Sequence, residues 1–401
     1  MNIDKRRAFQ LIIMFGLVSL FGDIVYEGAR SVNGPYLKTL GANAAVVGLI
    51  GGAGEFLGYA IRLISGYFSD RTRAYWLFTF LGYGLLLSVP LLALTGLWQV
   101  AALFIVVERL GKGLRSPAKD TILSQAAKQV GTGFGFGLNE AMDQIGALVG
   151  PLIFTGLFLM TGGGLKTYQK GYALLLVPFV LVMICITVAF LRVPHPEKLE
   201  DKGDTGRPDK LSRVFWLYNI FSFMTATGFV SFILLGYHFK AKGILTDAQI
   251  PLFYAIAMAM DGVAALIIGK MYDVLKVQLK KEEAGLLMLV FVPLISALIP
   301  VLAFSASMTF IIFSVILWGI VMGAHETIMK AAVADLTSVR KRGTGYGIFN
   351  ISYGAAMLVG GTVMGLLYER SIPLLVLVAS TVQFLSLPVF YAMKGELEKS
   401  K

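Results

Sequence analysis

Long apolar stretches alternate with short polar segments along the whole chain. Each stretch runs for about 20 residues or more, which is the length that a helix needs to cross the hydrocarbon core of a bilayer. The stretches begin near residues 9, 42, 75, 98, 133, 171, 213, 248, 285, 308, 343 and 372. This pattern predicts an all-α membrane protein with twelve transmembrane helices.

One long hydrophilic segment interrupts the chain between the sixth and seventh apolar stretches. Residues 196–212 are dense in charge and contain two prolines. We interpret this segment as a cytoplasmic linker. It separates an N-terminal six-helix bundle, residues 1–195, from a C-terminal six-helix bundle, residues 213–401.

Short glycine patterns recur in both halves of the chain. Gly66 and Asp70 close the second stretch with the pattern Gly-x-x-x-Asp, and Gly269 and Asp273 close the eighth in the same way. These matched pairs predict a duplicated fold of two pseudo-symmetric bundles. Parallel repeats of this kind place a substrate site between the bundles, near the bilayer midplane.

The composition excludes the common soluble classes and indicates an orientation. Apolar residues make up 56% of the chain and charged residues 15%, against roughly 45–50% and 25% in globular proteins. Seven of the 35 lysines and arginines lie on one side of the predicted spans, Arg62 and Arg109 lie within them, and the other 26 share a side with both termini. The positive-inside rule predicts a multi-pass protein of the cytoplasmic (inner) membrane with both termini cytoplasmic. The net charge of +11 reflects this orientation and predicts no nucleic-acid partner.

Three further patterns combine glycine with charge or proline at fixed spacing. They are Gly66, Asp70, Arg71 and Arg73 after the second stretch; Arg109 and Gly113 in the fourth; and Gly137, Gly146, Gly150 and Pro151 in the fifth. An arginine inside an apolar span is costly unless it faces a cavity or a carboxylate such as Glu108. A Gly-x-x-x-Gly spacing lets a neighbouring helix approach closely.

These patterns resemble motifs A, B and C of the major facilitator superfamily, and the likeness covers the whole chain. The resemblance implies the fold of that superfamily and a cytoplasmic gate at the first pattern, with Gly269 and Asp273 as its counterpart in the second half. The motif C likeness implies a drug/proton antiporter. Two departures stand out, because Arg73 replaces the second glycine of motif A, and Phe154-Thr155 replaces the last glycine pair of motif C.

Ionisable residues inside the predicted spans need a polar cavity or a bound proton. Asp23 and Glu27 lie one turn apart on one face of the first span, with Arg30 three residues further on. Because two such carboxylates are not both readily ionised, we expect one of them to hold a proton, with Asp23 as the coupling site. The alternative is that both acids only line a wet vestibule. Glu27 lies nearer the outer surface, so we expect water and Arg30 to keep it charged. The other candidates for proton coupling or a substrate cavity are Glu55, Arg62, Arg109, Glu140, Asp143, Asp261, His325 and Glu326.

Two further interpretations of these candidates leave alternatives open. Arg62 and Arg109 can form one network with Glu140 and Asp143 across three spans, either as a static fastener or as a latch that breaks when the protein opens. His325 is either a proton relay or a helix-contact residue.

The leading function is secondary transport by alternating access: proton-coupled export of a small amphipathic or cationic solute by a monomer in the bilayer. The alternatives are uptake or facilitated exchange of a small organic anion, favoured by Arg62, Arg109 and Lys112, and a non-transporting membrane receptor or scaffold. The sequence contains no P-loop, zinc-ligand spacing or serine-nucleophile motif. We therefore predict no enzyme activity, no catalytic residue, no cofactor and no metal site.

Overall fold

The chain is helical throughout the part described by the computed structural model, residues 3–130, 132–194, 211–279, 282–337 and 342–399. The helices of the first half are α1 (Ile3–Thr39), α2 (Ala44–Thr72), α3 (Tyr75–Gly84), α4 (Ser88–Leu91), α5 (Trp98–Val130), α6 (Thr132–Thr161), α7 (Leu165–Leu174) and α8 (Leu176–Arg192). Those of the second half are α9 (Arg213–Gly228), α10 (Phe232–Ala241), α11 (Gln249–Leu279), α12 (Phe291–Ala303), α13 (Met308–Leu336), α14 (Arg342–Arg370) and α15 (Ile372–Lys399). Short 3-10 segments occupy Leu85–Leu87, Leu92–Leu94 and Glu282–Val290. The predicted linker falls mostly outside the described residues.

Eleven helical stretches among the described residues are long and apolar enough to cross a membrane. They match eleven of the twelve predicted spans. The remaining span corresponds to α5, a continuous helix of 33 residues whose charged side chains lower its hydropathy. The all-α membrane fold predicted from the sequence is therefore confirmed.

The described residues group into two compact units, and each unit includes a segment from the other half of the chain. The first unit comprises the described residues within Met1–Ala42, Leu57–Gly203 and Phe239–Ala255. The second takes those within Asn43–Phe56, Asp204–His238 and Ile256–Lys401. Helices α2 and α11 therefore each contribute one end to each unit.

In the first unit, α1 packs closely against α6 through glycine. A Cβ atom at Gly150 would lie 2.7 Å from the backbone nitrogen of Gly28, and one at Gly28 would lie 3.1 Å from the carbonyl oxygen of Gly150. Any larger side chain at either position would push the backbones apart. Gly137 has no atom within 4 Å of its Cβ position, so the close approach uses only the later part of the glycine series.

In the second unit, the first turns of α2 pack closely against α14. The backbone N–H of Ala44 donates to Oε1 of Glu369 at 2.6 Å, which satisfies one of the unpaired donors at the start of α2. A Cβ atom at Gly52 would lie 2.7 Å from the carbonyl oxygen of Met357, and one at Gly361 would lie 2.6 Å from that of Gly48. Glycine thus allows α2 and α14 to lie in direct backbone contact.

The first long apolar stretch of the second half is interrupted between α9 and α10. Side chains from two other helices bond the carbonyl groups near this interruption. Trp318 Nε1 donates to Val230 O at 2.9 Å, and Gln383 Nε2 donates to Thr225 O at 2.9 Å. These bonds replace part of the helical ladder that the interruption removes.

Candidate functional site

Asp23 lies on α1 at its close contact with α6. A Cβ atom at Gly146 would lie 3.0 Å from the Cβ of Asp23, so glycine leaves room for the carboxyl group. Asp143 is one turn before Gly146 on the same face of α6, and it is an electrostatic neighbour of Asp23, as are Lys112 and Glu27. Asp23 as a whole residue is partly exposed.

Glu27 is more deeply buried than Asp23, at 6% relative exposure. Tyr254 donates a hydrogen bond to Glu27 Oε2 at 2.5 Å, and Arg30 Nη1 lies 3.6 Å from Glu27 Oε1. The expected charge of Arg30 is in place beside Glu27, whereas the expected exposure of Glu27 to water is not, because the residue is buried. Tyr254, in the segment Phe239–Ala255, packs over Glu27. The local sequence of α1 could not predict this contact, because Tyr254 is distant in sequence.

Three cationic side chains surround the ring of Tyr26. Arg30 lies 5.7 Å, Arg109 4.7 Å and the Lys112 Nζ 3.6 Å from the ring centre. Arg109 also donates to the hydroxyl of Tyr26, and its Nε lies 3.6 Å from Oε2 of Glu108. The face of an aromatic ring attracts cations, and the attraction grows as water is removed. Tyr26 therefore holds positive charge close to the carboxylates of α1.

A polar chain continues from this cluster along α5, α1 and α6. Lys119 Nζ donates to Ser19 Oγ at 3.0 Å, and Ser19 Oγ donates to Asn139 Oδ1 at 2.9 Å. Ser19 and Asn139 are both buried. Since Ser19 lies one turn before Asp23, the chain extends the polar face of α1 by one helical turn.

The remaining predicted residues of the first unit have other surroundings. Glu140 is exposed and accepts a hydrogen bond from Gln144 Nε2 at 3.3 Å. Arg62 is partly exposed, with its guanidinium 5.0 Å from the ring centre of Tyr59. Glu55 belongs to the second unit and is partly exposed. The structure places Asp143 near Asp23, and Arg109 near Tyr26 and Glu108.

The glycine of the motif B pattern serves packing between α5 and α2. A Cβ atom at Gly113 would lie 2.6 Å from the carbonyl oxygen of Gly58 and would also meet the side chain of Ile61. Ser65 Oγ donates to Gly113 O at 2.9 Å. Gly113 therefore lets the two helices cross in contact one turn after Arg109.

The loop after α2 contains a left-handed backbone conformation at a position that is not glycine. Arg73 has a φ angle of +54°, in the left-handed region that glycine adopts most readily. Arg71 Nη1 donates to the hydroxyl of Tyr67 at 2.9 Å, and Asp70 is exposed. Gly66 faces Pro117 of α5, with its Cβ position 3.6 Å from the Pro117 Cβ. A tight turn therefore forms at Arg73 despite the missing glycine.

In the second unit the predicted site residues have different surroundings. His325 is buried, and its Nδ1 lies 2.9 Å from the hydroxyl of Tyr353. Glu326 points to an exposed face, and Asp261 is buried beside Gly323. Gly269 meets Thr327, at 3.3 Å from its Cβ position. The side chain of Asp273 lies outside the described part.

Sequence reasoning missed Lys119, Ser19 and Tyr254. A usable signal existed for Lys119, because Arg109, Lys112 and Lys119 follow one another at three and seven residues and so share a face of α5. Ser19 carries the same kind of signal, being one turn before Asp23. No local pattern points to Tyr254, because its partner is 227 positions away.

Known proteins resemble this chain in sequence and in fold. Residues 15–361 match the Major Facilitator Superfamily. An uncharacterized protein of Mycobacterium tuberculosis is 38% identical over 394 residues, covering 96% of this chain and 93% of the relative. An uncharacterized MFS-type transporter of Methanocaldococcus jannaschii is 23% identical over 392 residues, with 96% and 95% covered.

Two solved structures share the fold at low identity. A mutant of the nucleoside transporter NupG superposes with a TM-score of 0.74 at 13% identity, covering 96% of this chain and 99% of that one. A bacterial homolog to the human lysosomal transporter Spinster gives 0.68 at 12% identity, with 98% and 99% covered. The chain therefore belongs to the Major Facilitator Superfamily, as a multi-pass secondary transporter of small molecules and not an enzyme.

Proposed function

We propose that this transporter exports a small amphipathic or cationic solute from the cytoplasm in exchange for protons. The observation that carries the proposal is the position of Asp23, partly exposed on α1 with a second carboxylate, Asp143, as its neighbour on α6. Two carboxylates that interact in a span of low dielectric share one proton more readily than both ionise. Such a pair can load and release a proton as access to it changes.

The lysines of α5 support a cycle that alternates between proton and solute. Lys112 and Lys119 are both electrostatic neighbours of Asp23, and Lys119 is held by Ser19. When the proton leaves Asp23, these cations stabilise the carboxylate that remains. A cationic solute can then compete with them for the same carboxylates, which makes occupation by proton and by solute mutually exclusive.

The antiport direction rests on the glycine series of α6. Gly146 and Gly150 set the contact with α1 next to Asp23, and the series resembles the antiporter motif of drug-exporting members. We propose that movement of α6 against α1 couples the protonation of Asp23 to the change of access.

The gate is proposed at the end of α2 and the loop that follows it, with Gly269 and Asp273 of α11 as the counterpart. Asp70 and Arg71 lie at the end of α2, while the opposite end of the same helix packs on α14 through Gly48 and Gly52. One helix thus contributes residues to both units. The halves 1–195 and 213–401, joined by the linker 196–212, are proposed as the two moving bundles of a monomer, with both termini cytoplasmic.

A second candidate is supported by Tyr26. Three cationic groups converge on its ring, and Arg109 and Lys112 provide the charge that an organic anion needs. In this version the protein takes up or exchanges a small organic anion, and the carboxylates of α1 balance the cations when the solute is absent.

A vesicle assay separates these functions. Inside-out membrane vesicles containing the protein are acidified by respiration, and a pH-sensitive acridine dye reports the gradient. Ethidium, uridine and salicylate serve as a cation, a neutral solute and an anion. Proton-coupled export predicts that ethidium dissipates the gradient only when the chain is present. Salicylate accumulation in acid-outside proteoliposomes above that in protein-free liposomes supports the second candidate, while no response to ethidium contradicts the first.

A further inference from the structure

Two adjoining cavities open along one side of the second unit, between α11, α12, α13 and α15. The first has a volume of about 270 Å³, and all of its lining side chains are apolar. The second has a volume of about 530 Å³. Met271, Met288 and Phe291 line both cavities, so the two form one groove.

The groove runs from the interior of the spans to their edge. The first cavity is lined by Ile295, Val321 and Ala324, all within candidate membrane spans. The second reaches Gln278 and Lys394. Gln278 lies beyond Tyr272, where the candidate span of α11 ends. The chemistry of the walls therefore changes from purely apolar to polar and cationic along the groove.

The groove opens on the surface of the second unit. Its floor is buried, with Val321 and Ala324 at 1% and 4% relative exposure, whereas Met271 and Phe291 on its rim are 48% and 52% exposed. Inside a membrane, the medium at such a rim is lipid. An empty apolar cavity there loses the contacts that its wall atoms could make, and acyl chains are the molecules at hand to supply them.

We infer that this groove binds one anionic phospholipid. An acyl chain lies in the cavity beside Ala324, and the phosphate lies near Lys394 at the edge of the span. Methionine suits such a wall because its unbranched, polarizable side chain adapts to a flexible ligand. Basic side chains at the membrane boundary attract anionic headgroups. Tyr391, which also lines the second cavity and is 60% exposed, has the amphipathic ring typical of that boundary.

Native mass spectrometry tests this site without any transport substrate. The purified protein is equilibrated with palmitoyl-oleoyl phosphatidylglycerol or phosphatidylcholine, and retained lipids are counted. Wild type is expected to retain one phosphatidylglycerol. Met271→Trp and Ala324→Leu each fill part of the groove and are expected to lower that occupancy by about tenfold or more. Leu266→Trp is the matched control, because Leu266 lies on α11 at 78% exposure and does not line the groove.

The headgroup is tested separately by charge. Lys394→Gln is expected to reduce the preference for phosphatidylglycerol over phosphatidylcholine by about fivefold, while Arg192→Gln, at the end of α8 in the other unit, leaves it unchanged. Melting temperatures in detergent identify any variant that fails to fold. If one of the two filling variants does not fold, the other still tests the site. Retention by both filling variants at the wild-type level overturns the lipid site, as does an equal loss in Leu266→Trp. Equal retention of the two lipids by wild type overturns the anionic preference.

Discussion

Tyr254 donates a hydrogen bond to the buried carboxylate of Glu27, and the two residues lie 227 positions apart in the chain. The contact joins α1 to a segment of the second half that belongs to the first compact unit. Arg30 supplies the opposite charge from α1 itself. Glu27 therefore has one partner from each half of the chain, and we call these two contacts the clasp.

The clasp predicts a measurable coupling between Tyr254 and Glu27. Tyr254→Phe leaves the buried carboxylate with one hydrogen bond fewer, so we expect a loss of about 1 to 3 kcal/mol in unfolding free energy. In a Glu27→Gln background the same change should cost less, by about 0.5 to 3 kcal/mol of interaction energy. Unfolding in detergent measures all four proteins. Tyr391→Phe, at a 60% exposed tyrosine, is the control, and additive losses would show that no clasp exists.

The left-handed backbone at Arg73 predicts a stabilising substitution. Arg73→Gly removes the clash of Cβ with the following carbonyl group and should stabilise the protein by about 1 kcal/mol. Arg71→Gly is the matched control, because Arg71 lies in the last turn of α2, where glycine should cost about 1 kcal/mol. Melting in detergent compares the two. A lower melting temperature for Arg73→Gly would contradict the strain at this turn.

The gate proposal predicts that Asp70→Asn impairs transport far more than it impairs folding. If Asp70 serves only to stabilise a helix end, the cost is about 0.5 to 2 kcal/mol of stability and transport falls in proportion. Transport rate and melting temperature are measured together, with Glu398→Gln as an exposed acidic control on α15. Parallel losses in both quantities would reduce Asp70 to a structural role.

Orientation is tested by cysteine labelling in a Cys185→Ser background. A membrane-impermeant maleimide added to intact cells should label Asn43→Cys, in the connection between α1 and α2. Arg6→Cys and Glu398→Cys should react only after the membrane is permeabilised, because the positive-inside rule places both ends of the chain in the cytoplasm. Reaction of either end in intact cells would reverse the proposed topology.

The hydrophobic pattern and the composition were sufficient to predict the transmembrane spans, but they did not predict which residues contact the buried charged groups. Helix α5 shows why, since Arg109 and Arg115 are buried at 9% and 5% exposure and depress the hydropathy of a real helix. Arg115 lies 4.6 Å from the ring centre of Tyr83, a contact supplied by a different helix. The partner of a buried charge is supplied by tertiary packing. A single sequence therefore shows that the buried charge is costly but does not identify the residue that stabilises it.

The glycine series of α6 illustrates the same division. Spacing alone predicted a close helix contact, and Gly146 and Gly150 do meet α1. The identity of the facing residue, Asp23, needed the structure. Because the glycine contact lies next to Asp23, we propose that the glycine series takes part in proton coupling.

The central claim is that Asp23 carries the coupling proton, and proton movement per solute tests it most directly. Proteoliposomes are given a pH gradient, and proton flux and solute flux are recorded together for a solute that passes the vesicle assay. Asp23→Asn, which mimics the protonated state, should abolish gradient-driven accumulation while downhill exchange continues. Glu27→Gln, the matched change one turn away, should retain most of the coupling. An unchanged proton-to-solute ratio in Asp23→Asn would contradict the account.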